Sequence, residues 1–120
     1  MPGFSNIAWV GGAEQPVASA ARTASGSTAA QSGYGPATSL RAQLNVTAAA
    51  GTTPTLDVVI EDTLDGGTTW NTIGTFTQAT AVARQVINIT TPFSDTLRVR
   101  WTVGGATPSF TFAVDWVPQA

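Results

Sequence analysis

From Leu40 onward apolar residues recur at every second position, and that period constrains the fold more than any other feature of the chain. Leu40, Ala42, Leu44 and Val46 alternate with Arg41, Gln43, Asn45 and Thr47. Leu56, Val58 and Ile60 alternate with Asp57, Val59 and Glu61, and Leu97, Val99, Trp101 and Val103 with Arg98, Arg100 and Thr102. Phe110, Phe112, Val114 and Trp116 alternate with Ser109, Thr111, Ala113 and Asp115. Successive side chains on a strand point to opposite faces, so each run has one buried and one wet face. Antiparallel sheets packed on one side carry that pattern. Two shorter runs, 70–77 and 84–90, fit between the others; around the second, Val82, Val86, Ile87 and Ile89 mix the faces.

No window carries a helical period with caps. Breakers fall instead at regular intervals, at 51–54, 65–67, 91–92 and 104–108. Short strands at such spacing predict an all-β domain, a single antiparallel β-sandwich or jelly-roll-like barrel of about eight strands. At 120 residues the chain forms one domain with a core of its own. We divide it into an N-terminal arm or edge strand over 1–16 and a sandwich over 17–120. Residues 11–36 are small and polar. They read either as an edge hairpin, 17–23 against 27–32 about a turn at Ser25-Gly26, or as an arm that orders on a partner. The apolar stretch Phe4 to Val10 pairs within the fold or docks onto a neighbour, because an exposed strand of that kind invites aggregation.

Two segments echo each other, Gly51-Thr52-Thr53-Pro54-Thr55-Leu56 and Gly105-Ala106-Thr107-Pro108-Ser109-Phe110. Each joins two alternating runs; glycine supplies a positive φ and proline sets the entry to the next strand. Upstream of the glycines the parity slips by one residue, so the match reads as a reused hairpin, not as a full duplication.

Composition then removes whole classes of chemistry. The chain has no cysteine and no histidine, so thiolate metal sites, disulfides and the commonest general base are excluded. Its five cations are all arginine, set against seven acids for a net charge of −2, which gives no electrostatic footprint for nucleic acid. Charged residues are only 10% of the chain, and a neutral, hydroxyl-rich surface suits packing into an assembly. No basic, apolar leader is visible in residues 1–10, and the apolar runs are too short to span a membrane as a helix.

The acids Asp57, Glu61, Asp62 and Asp65 cluster, but Asp57 and Glu61 alternate with core-facing residues and so belong on a solvent face. Hydroxyls have no His or Lys to activate them. We therefore expect no catalytic residue and no cofactor. The stretch Thr63-Leu64-Asp65-Gly66-Gly67-Thr68-Thr69-Trp70 fits the spacing of the Asp-box of sialidases and offers oxygens to calcium. It lacks the D-x-D-x-D spacing and the bidentate Glu of a calcium loop, so no metal site is expected. We read it as a structural turn: the Asp65 carboxylate accepts backbone N–H groups, Gly66 and Gly67 take positive φ, and Trp70 caps the core. Trp101 and Trp116 continue inward alternations and belong to the core. Trp9 and Tyr34 stand outside the regular runs and are expected as exposed contacts.

The runs Ala18 to Ser27, Ser39 to Ala48, Gly51 to Trp70, Phe76 to Thr80 and Leu97 to Val114 together resemble a group of small all-β proteins encoded among the structural genes of tailed bacteriophages and prophages. The resemblance implies a virion component such as a capsid decoration protein, a minor head protein or a tail accessory. The expectation that follows is a non-enzymatic protein of the virion that binds the major capsid protein, as a homo-oligomer such as a trimer, without nucleic acid or membrane. Assembly contacts are expected at Phe4, Ile7, Trp9, Val10 and Tyr34. The alternatives are a tail tube or baseplate subunit and a carbohydrate-binding module stacking sugars on Trp9, Tyr34 or Trp70.

Overall fold

A computed structural model describes residues 12–120, so Phe4, Ile7, Trp9 and Val10 lie outside the described residues. Among the described residues the chain is all-β, with six strands and no helix. They are β1 (Glu14–Arg22), β2 (Gly26–Ser27), β3 (Ser39–Asp62), β4 (Asn71–Thr75), β5 (Ala83–Ile89) and β6 (Leu97–Gln119). All join one antiparallel sheet. β3 and β6 form its spine, paired from Ser39↔Gln119 to Asp62↔Leu97. β1 and β2 lie along the outer edge of β6, and β5 and β4 along that of β3.

Among the described residues six strands stand beside the expected count of about eight, because the alternating runs on either side of each G-x-T-P segment belong to one strand. Neither segment is a hairpin turn. Gly51 (φ 114°) and Thr53 (φ 46°) kink β3 without reversing it, and Gly105 (φ 106°) and Thr107 (φ 45°) kink β6 opposite them. The kinks lie against each other, with Thr52 paired to Ala106. Both glycines are required by this approach as well as by their φ. A Cβ on Gly51 would lie 2.9 Å from the Pro108 Cα, and one on Gly105 would lie 2.7 Å from the Thr53 carbonyl oxygen.

The period-two pattern is realised on both sides of the kinks. Leu40, Ala42, Leu44 and Val46 are buried, as are Leu56, Val58, Ile60, Leu97 and Val99, and Phe110, Phe112, Val114 and Trp116. All belong to one apolar cluster, with Trp101 and Val103 packed partly buried against it. Among the described residues no helix covers the apolar face, which packs between parts of the sheet itself. Gly74 of β4 marks the approach, since a Cβ there would come within 2.6 Å of Ile89 Cδ1 on β5. Burial of this face is the main favourable term in stability.

Residues 17–32 form neither the expected hairpin nor an unattached arm. β1 pairs with the C-terminal half of β6 and β2 with its N-terminal half, so the two strands lie end to end along β6 and not against each other. Arg22 holds the bulged β1, donating to the carbonyls of Ala18, Ala20 and Phe112, with its guanidinium over the rings of Trp101 and Phe112. β1 begins at Glu14, three residues ahead of the expected boundary at residue 17.

Candidate functional site

One end of the sheet gathers Glu61, Asp62, Asp65 and Trp70. β3 ends at Asp62 and β6 starts opposite it at Leu97, so the segments 63–70, 90–96 and 31–35 meet there. Carboxylates tie them together. Asp62 accepts from the Ser94 N–H at 2.9 Å, and Asp95 accepts from Gly33 N–H at 3.0 Å and Gly35 N–H at 2.8 Å.

The Thr63–Trp70 turn has the geometry expected of Asp65, Gly66 and Gly67. Asp65 Oδ1 accepts from the backbone N–H groups of Thr68 (3.1 Å) and Thr69 (2.9 Å) and from the Thr63 hydroxyl (2.9 Å). Its Oδ2 accepts from the Thr69 hydroxyl at 2.6 Å. Gly66 and Gly67 have φ of 77° and 103°. These bonds favour the ionised form, the Thr69 hydroxyl most of all, and hold the Asp65 pKa down at about 2. Leu64 projects from this turn and is 77% exposed.

Trp70 departs from its expected role. It is half-buried and does not cap the core; its indole N–H donates to the Gly67 carbonyl, and the Arg98 guanidinium lies 4.3 Å from its ring centre. The same Arg98 donates from Nε to Glu61 Oε1 at 2.8 Å, while Arg100 Nε donates to Glu61 Oε2 at 3.1 Å. Glu61 therefore does not face solvent as expected. It is 4% exposed, because two arginines two residues apart on β6 close over it from the same face. The signal was present in Leu97-Arg98-Val99-Arg100, whose alternation places both guanidinium groups together, but not the strand they meet.

Tyr34 is likewise corrected from an exposed contact to a core residue, 4% exposed. Its hydroxyl donates to Glu14 Oε1 at 2.6 Å, and the Trp116 indole N–H donates to that same carboxylate oxygen at 2.9 Å. The Tyr34 and Trp116 rings meet edge to face at 5.5 Å. Burial, and next the bond to Glu14, push the phenol pKa far up, so the hydroxyl remains a donor.

All seven carboxylates of the chain have a partner inside the fold. Asp57 accepts from Gln78 and Asp115 from Gln15, and the other five are placed above. Among the described residues no group of three or more Asp or Glu side chains gathers to hold a metal ion. Asp62 and Asp65 bind different segments. On the outer face an open depression of about 420 Å³, lined by Ser25, Ser27, Arg98, Arg100, Trp101 and Thr102, lies beside the Glu61 cluster. Its groups offer hydrogen bonds, cations and an aromatic edge, which is the chemistry of a contact surface.

No protein-family model matches the chain, and no curated protein matches it. Among solved structures, the fold is similar to the crystal structure of the PBSX exported protein XepA, with a TM-score of 0.65 and 19% identity. The match covers all of this chain and 40% of that one, so the chain spans about two fifths of its structural neighbour. The likeness is one of fold.

Proposed function

We propose that this chain is a non-enzymatic structural protein of a phage particle, and that it binds the outer surface of the capsid as a decoration protein. The observation that carries the reading is the use of the carboxylates: all seven serve as acceptors within the fold, and none stands as a free acid or base in a pocket. A fold that commits its chemistry to its own rigidity acts through its surface. The likeness to an exported protein of PBSX, a prophage, supports a phage setting. The low charge of the chain supports dense packing beside other subunits.

In this reading the kinks bend each long strand across two layers, so that the sheet works as a sandwich. The partner is the major capsid protein, met by a homo-oligomer whose symmetry adds avidity to weak single contacts. Residues 2–11 supply one contact. They can be removed without touching Glu14, whose carboxylate anchors Tyr34 and Trp116. The test is co-sedimentation of the full chain, and of a variant lacking residues 2–11, with undecorated capsids and separately with tails of the phage that encodes it. Capsid binding by the full chain and its loss in the shortened one support the proposal. Binding to tails alone moves the protein to a tail accessory role, and binding to neither particle overturns a virion role.

A further inference from the structure

The two kinked segments belong to a larger correspondence. Place Glu14–Asp62 beside Asn71–Gln119, two stretches of equal length. Each holds a flanking strand, a second short flanking segment and one long kinked strand, in that order. The pairings repeat as well. Glu14 pairs with Trp116, and its counterpart Asn71 pairs with Asp62. Val17 pairs with Val114, and its counterpart Gly74 with Ile60. Arg22 pairs with Phe110, and its counterpart Ala79 with Leu56. In every case the first residues lie 57 positions apart (14 to 71, 17 to 74, 22 to 79) and their partners 54 apart (116 to 62, 114 to 60, 110 to 56).

The kinks sit on the axis of this correspondence. Thr52 pairs with Ala106, while Ala50↔Ser109 on one side answers Thr55↔Gly104 on the other. The φ values of Thr53 and Thr107 agree within a degree, at 46° and 45°. Each of these threonines donates its hydroxyl to the preceding carbonyl at 2.8 Å. The slip of parity upstream of the glycines is a bulge between Val46 and Ala48, which has no counterpart in β6. The sequence reading of a reused hairpin is thereby replaced. Few side chains match across the axis, Val17 answering Gly74 for instance, so the backbone shows the repeat where the sequence conceals it.

We infer that the fold is an intrachain pseudo-dimer, in which the units 14–62 and 71–119 are related by a twofold axis through the kinks and each is the binding partner of the other. The flanking strands carry the argument beyond simple repetition. β1 pairs with the long strand of the other unit, and β4 does the same in return. The two units thus exchange strands as the subunits of an interlocked, isologous dimer do. The spine itself, β3 against β6, lies wholly between units. The covalent link, 63–70, only bridges the paired residues Asp62 and Asn71.

The experiment uses the full chain with a protease recognition sequence inserted between Gly66 and Gly67, cut after folding. The cut protein is expected to elute as a single 1:1 complex with the strand spectrum of the uncut chain. When unfolded and mixed with isotopically labelled cut protein, it is expected to refold with its units redistributed at random between light and heavy partners. Separation of the two pieces under native conditions, or loss of the spectrum on cutting, overturns the inference. A second insertion, at Ala81-Val82 within one unit, guards against an uninformative result. Its cutting is expected to lower the melting temperature more than cutting at Gly66-Gly67, and the reverse order also overturns the proposal.

Discussion

Asp65 engages both carboxylate oxygens within its own turn, and its ionised form is what the turn recognises. Its folded pKa of about 2 lies below the ordinary 3.8, so its contribution to stability is present above pH 4 and lost as the pH falls toward 2. Asp65→Asn is therefore expected to melt below the wild type at pH 7, with the gap closing between pH 4 and pH 2. Thermal unfolding across that range checks it, and a gap independent of pH contradicts the assignment. At Glu61 the direction is set by burial. Glu61→Ala leaves Arg98 and Arg100 without their acceptor, and the partial exposure of both arginines tempers the loss to about 2 kcal/mol by chemical denaturation. The same change frees Arg98 from one of its two neighbours and is expected to shift the emission of Trp70, which it covers.

Among the elements, the kinks carry the sharpest expectation. Gly51→Ala and Gly105→Ala each drive a methyl group into the backbone of the opposite kink, so each is expected to cost about 2–4 kcal/mol. Gly66→Ala also places a side chain at positive φ, but nothing lies within 4 Å of its Cβ, and the cost is expected to stay near 1–2 kcal/mol. Denaturant titration of the three variants separates close approach from backbone strain. The alternating runs were fully legible: Leu40 to Val46 and Phe110 to Trp116 bury the faces their period assigns. The elements went astray where local signals are silent about partners. A glycine, a threonine and a proline in sequence read equally well as a reversal or as a kink, and only the second copy opposite decides between them. Tyr34 shows the same limit. It lies in a polar loop, and its burial depends on Glu14 and Trp116, which lie 20 and 82 residues away.

For the whole molecule, the sheet, its self-covering core and the Asp65 turn followed from the period of the sequence and from turn chemistry. The Glu61 cluster and the pairing of the two units did not, because both arise between segments far apart in the chain. What emerges is a domain whose carboxylates and kinks tie its segments to one another. The central claim is that its outer surface serves a phage particle at the capsid. Immunogold electron microscopy of mature particles of the encoding phage, with an antibody raised to the purified chain, tests it directly. Regular labelling over the head is the predicted result, and intact particles without label on the head contradict it.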